Sequence, residues 1–139
     1  PDFIKTIIDT KEFQRLRKIK QLGLVYHVFI SASHNRFEHS IGVYYLARQY
    51  NGYLEKNNDI EFTDNEKKLI EVGALIHDIG HGPFSHLYDN QVRNHSEPEH
   101  EERGCEIFKR MVPKYKLNLT KKEVNLIVEM IVPPEEKIS

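Results

Sequence analysis

Residues 74–86 read ALIHDIGHGPFSH, a greasy helical stretch that empties straight into a polar cluster. Ala74, Leu75 and Ile76 carry the pattern of a core-facing helix, yet His77 and Asp78 stand side by side directly after them. A charge driven into apolar surroundings is costly unless it is paired or metal-bound, so Asp78 requires a partner. A divalent cation shared by His77 and Asp78 supplies one. Mixed nitrogen and oxygen ligation suits iron, manganese, zinc or magnesium and leaves positions open for water that the metal can acidify. Five of the eight histidines (His77, His81, His86, His95 and His100) fall within one 24-residue stretch. A lone histidine near a helix is usually a structural residue satisfied by its neighbours; a cluster beside a carboxylate calls for a different account.

HDIGH superficially matches the zinc-protease pattern H-E-x-x-H, with aspartate for glutamate. That pattern needs both histidines on one face of an unbroken helix. Gly80, Gly82 and Pro83 weaken the helix where it is required, and aspartate reaches one methylene less far, so the protease reading is disfavoured.

Helix signals dominate the rest of the chain. Asp9 to Gln21 offers Asp9 as an N-cap with Glu12 three residues on, then Phe13, Leu16 and Ile19 as a narrow apolar stripe. A second helix is expected from about Arg36 to Lys56, with Phe37, Ile41 and Tyr44 on one face and Val43, Leu46 and Tyr50 extending it. A third starts at Thr63, boxed by Glu66, and carries Leu69, Ile70, Val72, Leu75 and Ile76 until Gly80, Gly82 and Pro83 end it. A fourth spans roughly Glu97 to Met111. A fifth starts at Thr120, boxed by Glu123, with Val124, Ile127, Val128 and Ile131 inward. Asn51 to Phe62 reads as a polar surface connection, and only YHVFI (Tyr26 to Ile30) looks extended, as a loop or short hairpin. The fold class is all-α.

At 139 residues the chain is at most one modest domain, and a net charge of −1 gives no overall field that selects nucleic acid or an anionic membrane. The apolar runs are too short for a membrane span. The single cysteine, Cys105, excludes an internal disulfide and fits a reducing, intracellular compartment, cytoplasmic or nuclear. A chain beginning at Pro1 is expected to be a piece of something longer.

His39, followed 38 residues later by His77-Asp78, resembles the H…HD signature of HD-domain phosphohydrolases. Three blocks sharpen the likeness: DTKEFQRLRKIKQLG (Asp9–Gly23), ASHNRFEHSIGV (Ala32–Val43) and HDIGHGPFSH (His77–His86). In this order they resemble the deoxynucleoside triphosphate triphosphohydrolases with SAM and HD domains, enzymes of the dGTPase type. The resemblance spans most of residues 9 to 108 and implies an HD-domain helical bundle.

It further implies that His39, His77 and Asp78 bind the catalytic metal, and that a fourth ligand is an aspartate on a later helix. His81 and His86 face the substrate phosphates, with Asp89 nearby. His100, in a following His-Glu pair, donates the proton to the leaving group. Arg36 grips phosphate, and Gln21 and Leu22 read the deoxyribose. The substrate is a deoxynucleoside triphosphate, released as deoxynucleoside and triphosphate. The alternatives are an HD phosphohydrolase acting on another nucleotide, or a catalytically silent nucleotide-binding or assembly module. The bland readings are an exposed helix-start residue for His100 and a surface ion pair for Arg36.

Residues 11 to 20 hold five Lys or Arg against one Glu, which by itself reads as a solvated face. The resemblance implies instead a guanine-nucleotide activator site at the interface of a homo-oligomer, drawing on Asp9, Gln14, Arg15 and Arg17. After Asp78 the only aspartate is Asp89, and nothing in the spacing of Glu129 or Glu135 recommends either as a ligand. The 139 residues are therefore expected to form an incomplete HD domain lacking its fourth ligand, holding metal weakly and turning over little by themselves.

Overall fold

Thr63 and Thr120 begin their helices as the local pattern requires. Each threonine hydroxyl accepts from the backbone N–H three residues on, and the carboxylates of Glu66 and Glu123 accept the threonine N–H in return, at 2.8 and 2.7 Å. The computed structural model describes residues 3–57, 61–86, 88–92 and 98–134, and these contain helices and turns but no β-strand. The α-helices are α1 (Phe3–Ile8), α2 (Lys11–Gln14), α3 (Arg36–Asn57), α4 (Asp64–Ile76), α5 (His100–Lys114) and α6 (Lys121–Ile131). The sequence reading passed over α1. His95, Glu97 and Glu135 lie outside the described residues.

The first basic segment departs from the single helix expected over Asp9–Gln21. The cap is Thr10, one residue later than Asp9; its hydroxyl accepts from Phe13 N–H and donates to the Ile7 carbonyl at 2.7 Å. After Gln14 the chain tightens into a 3-10 turn over Arg15–Lys18 and then straightens. It has to straighten because Lys20 and Asn35 form an isolated antiparallel bridge. Gln21 N–H donates to the His34 carbonyl at 3.1 Å and Arg36 N–H to the Ile19 carbonyl at 2.9 Å, which pins the start of α3. The YHVFI stretch is not extended either. Val25–His27 is a 3-10 turn, and Val28 and Phe29 both donate to the Val25 carbonyl, so local bonds satisfy a backbone that has no partner strand.

Helix α4 is central, with α3 along one side and α6 along another. Leu69, Val72, Leu75 and Ile76 of α4 are buried together with Phe13, Leu16, Phe37, Phe108, Met111 and Ile127. Each such side chain contributes roughly 1.5–3 kcal/mol relative to exposure. The expected extension of the α3 core face is corrected: Leu46 and Tyr50 are 63% and 61% exposed, and with Tyr53 they leave an apolar stripe uncovered. No helix of the described residues is long and apolar enough to cross a membrane.

The basic segment is held on the bundle by Phe13, which meets Phe37 edge-on at 5.4 Å, and by Glu12, which accepts from Lys114 and Tyr115 at 2.6 Å. Phe13→Ala is expected to lower unfolding free energy by about 3–5 kcal/mol, measurable in urea titrations, because it opens a cavity beneath the first turn of α3.

Candidate metal centre and histidine cluster

The chain leaves α4 at Ile76 and continues as a turn over residues 77–80, so His77 and Asp78 sit where the helix ends. His77 Nδ1 lies 2.8 Å from the Ala74 carbonyl. That contact requires the proton on Nδ1 and leaves the Nε2 lone pair for a ligand, the usual arrangement at a metal-binding imidazole. His77 Nε2 is 3.4 Å from Asp78 Oδ1, and His39 Nε2, from the first turn of α3, is 3.6 Å from Asp78 Oδ2. The three residues offer ligand atoms within 4.8 Å of one another. Burial pushes the His39 imidazole below its ordinary value, more than Asp78 raises it, which favours the neutral form a cation requires. Two imidazoles and one carboxylate fit a divalent ion.

Arg36 has a different post from the phosphate grip the resemblance suggests. It is 1% exposed, and its Nη1 donates to Asp78 Oδ2 at 2.6 Å. Nε donates to Ser85 Oγ at 2.9 Å, and Ser85 in turn donates to the Lys20 carbonyl at 2.6 Å. Burial by itself would raise the Asp78 carboxyl. The hydrogen bond from His81 and the charges of His77 and Arg36 outweigh it and hold the group well below the usual carboxylate range. Arg36 is the partner that stays charged when the imidazoles are neutral.

A second group stands beside the first. His81, His86, Asp89 and His100 also offer ligand atoms within 4.8 Å of one another. The His81 and His100 rings stack at 3.8 Å, and the His86 ring stands perpendicular to His81 at 4.9 Å. Asp89 Oδ2 is 3.2 Å from His100 Nδ1 and 3.8 Å from His81 Nδ1, and Glu101 Oε1 is 3.0 Å from His100 Nε2. The groups meet where His81 Nε2 lies 3.3 Å from Asp78 Oδ1. His81 and His100 are both pushed below the ordinary histidine value by burial, in spite of the carboxylates beside them.

Gly80 makes this neighbourhood geometrically possible. A Cβ there would collide with the His100 carbonyl and with the Gly104 backbone, so the first turns of α5 rest directly on the turn after Asp78. The sequence reading took Gly80 only as a helix terminator; close approach is its second reason.

The other expected residues divide. Gln21 and Leu22 line a cleft of ≈ 500 Å³ with Phe84, Ser85 and His86. Gln21 Oε1 is buried there and accepts no hydrogen bond among the described residues. His77, Asp78, His100 and Glu101 line a second cleft of ≈ 440 Å³. Of the expected activator residues, Asp9 is exposed, and Arg17 Nε donates to Gln14 Oε1 at 2.7 Å while its guanidinium lies 3.5 Å over the Phe37 ring. Arg15 is turned away from them. It donates to the Ile79 and His81 carbonyls at 2.7 and 2.8 Å. Sequence reasoning missed Arg103, which donates to Asp89 Oδ1 at 2.6 Å and to the Gly80 carbonyl at 3.2 Å.

Two outcomes follow. Gly80→Ala is expected to push α5 away from the 77–81 turn, separating His100 from His81 while leaving the approach of His39, His77 and Asp78 unchanged; imidazole NMR shifts of His100 and His81, set against those of His39 and His77, check this. In chelator-treated protein, the depressed imidazoles of His39, His81 and His100 mean that the unfolded chain takes up protons first as pH falls below about 6.5. Stability is therefore full above the ordinary histidine range and declines below it, readable as a falling Tm. Asp78, with its carboxyl held below 3.8, adds stability that is lost only at still lower pH.

Comparison with known proteins bears on both groups. The HD domain model matches residues 36–133. The chain is 43% identical over 138 residues to "Deoxynucleoside triphosphate triphosphohydrolase SAMHD1" of Mus musculus, covering 96% of this chain and 20% of that protein. It is 48% identical over 93 residues to the SAMHD1 homolog of Dictyostelium discoideum, covering 66% of this chain and 18% of that protein. It is 42% identical over 145 residues to "Putative HD domain-containing protein L394" of Acanthamoeba polyphaga mimivirus, covering 91% and 32%. The chain thus spans about a fifth of the SAMHD1 relatives it matches. With the match running from Arg36 past both histidine groups, the chain belongs to the HD domain family.

Proposed function

We propose that the intact protein to which this HD domain belongs hydrolyses deoxynucleoside triphosphates to deoxynucleoside and triphosphate, using a divalent cation held in part by His39, His77 and Asp78, while these 139 residues by themselves turn over little. The observation that carries the reading is the contiguity of the two groups. His81 lies 3.3 Å from Asp78 and stacks at 3.8 Å on His100, so cation ligands and proton-carrying imidazoles share one wall. The chemistry supplied by a divalent cation there is Lewis acidity toward phosphate oxygens and water.

The chain's own residues do the rest. His86, exposed beside His81 and His100, is the donor for phosphate oxygens, whereas His81, buried like Arg36, sits between Asp78 and His100 and does not reach phosphate directly. His100 lies between Asp89 at Nδ1 and Glu101 at Nε2, and each carboxylate favours a proton on the nitrogen it faces. Asp89 holds that ring's orientation and stabilises its charged form, while Nε2 exchanges Glu101 for the leaving oxygen and delivers the proton. Gln21 and Leu22, which line the cleft beside Phe84 and His86, suit contact with the sugar. Arg36 acts through Asp78, keeping it ionised, rather than on phosphate directly. The names of the relatives supply the substrate class. A fourth ligand is expected from outside the described residues, and a guanine-nucleotide activator would meet Asp9, Gln14 and Arg17, the fourth expected contact, Arg15, being held by the Ile79 and His81 carbonyls instead.

The test is product analysis of the intact protein on a panel of deoxynucleoside triphosphates. Triphosphate and deoxynucleoside are the expected products. Monophosphate with pyrophosphate, hydrolysis confined to other nucleotides, or binding without turnover each overturns the reading. His77→Ala is expected to lose metal and turnover together. His100→Ala should keep metal while turnover falls by about 10²–10⁴-fold.

A further inference from the structure

Three consecutive carbonyls after Asp78 are each held by a guanidinium. Arg15 takes those of Ile79 and His81, and Arg103 takes that of Gly80 between them. Arg103 stands three residues after His100 on α5, and its donors reach three separate stretches of chain. Nε donates to the Gly80 carbonyl at 3.2 Å, Nη1 to the Pro98 carbonyl at 2.6 Å and Nη2 to Asp89 Oδ1 at 2.6 Å. Asp89 is 7% exposed, and its other oxygen, Oδ2, faces His100 and His81.

We propose that Arg103 is a positioning residue for the proton donor: it fixes Asp89 by one oxygen so that the other stays turned to His100 Nδ1. The proposal rests on His100 being that donor. A planar fork with donors at fixed angles holds a carboxylate in one orientation, where a single rotatable ammonium does not. The same fork ties the carboxylate to the turn that follows the metal-ligating pair. The distance between His100 and the cation ligands is thereby set by one side chain as well as by the Gly80–Gly104 backbone contact. Without Arg103, Asp89 is a buried carboxylate that has lost its guanidinium fork. The hold that keeps Oδ2 3.2 Å from Nδ1 is weakened, and with it the preference for a proton on Nδ1 over Nε2, which faces Glu101.

The experiment compares Arg103→Met, Arg103→Lys and His100→Ala in the intact protein. It measures metal content, kcat and KM, and, in metal-free protein at one fixed pH, the nitrogen-15 NMR tautomer signature of the His100 ring. Arg103→Met is expected to keep its metal and change KM little, while kcat falls about 10- to 100-fold and the Nδ1–H signature is lost. Arg103→Lys should recover part of both, since an ammonium reaches Asp89 but does not span Gly80 and Pro98 at once. Unchanged kcat in Arg103→Met beside an impaired His100→Ala would overturn the positioning role alone. A fall in kcat with the tautomer intact also overturns it, since that loss is then only structural. Full activity in His100→Ala removes the donor assignment on which the proposal stands.

Discussion

A guanidinium and a carboxylate, both nearly out of water and 2.6 Å apart, tie the start of α3 to the end of α4. Neither Arg36 nor Asp78 tolerates burial without the other, and removing one partner from such a pair typically costs roughly 3–5 kcal/mol. Everything at the site hangs from this contact. It brings His39, three residues after Arg36, to the face of Asp78 that His77 and His81 approach from their own turn. Because arginine remains charged, Asp78 is ionised before any cation arrives, and the carboxylate needs no deprotonation step to become a ligand. The pair also explains why the centre holds together around a residue that burial alone would have neutralised.

Pairing Asp78 with Arg36 has a second effect. A cation entering beside a carboxylate already neutralised by arginine gains less from charge attraction than it would beside an isolated aspartate. At the proposed cation site the ligand set would then derive its affinity from the two imidazole nitrogens and from their fixed orientation. His77 is oriented by its Nδ1 contact to Ala74. His39 stands in the first turn of a 22-residue helix. His39 is carried by a helix and His77 is the cap residue that ends one, which limits the entropy lost on binding.

The features legible in the sequence were those whose physics is local. A capping box needs four residues, so Thr63–Glu66 and Thr120–Glu123 were readable at once. The His77-Asp78 pair announced itself because a carboxylate adjoined an apolar helix. The H…HD spacing and its resemblance then added His39, which the structure brings to Asp78. Illegible were the residues whose partners are fixed by tertiary approach. Arg36 has a phosphate-binding look in NRFEH, yet its acceptor is a carboxylate 42 residues away. Arg15 and Arg103 bond backbone carbonyls, which every residue possesses and no side-chain pattern reveals. YHVFI has the β-branched and aromatic content of a strand but no second strand among the described residues to pair with, and Leu46 and Tyr50 have helical spacing but are exposed.

Glu12 reaches Lys114 and Tyr115 across 102 and 103 positions of sequence and so closes most of the chain into a loop. Loop-closure entropy grows only logarithmically, about 0.6 kcal/mol per doubling of length, so a closure this long exacts little more than a short one. Its kinetic meaning is larger. A helical bundle whose contacts are mainly local folds quickly, whereas a strap that must find residues a hundred positions away docks among the last elements to form. That strap carries Arg15, which closes over the carbonyls on either side of Gly80. The turn bearing Asp78 and His81 therefore takes a backbone restraint from a segment that is itself anchored more than a hundred positions along the chain.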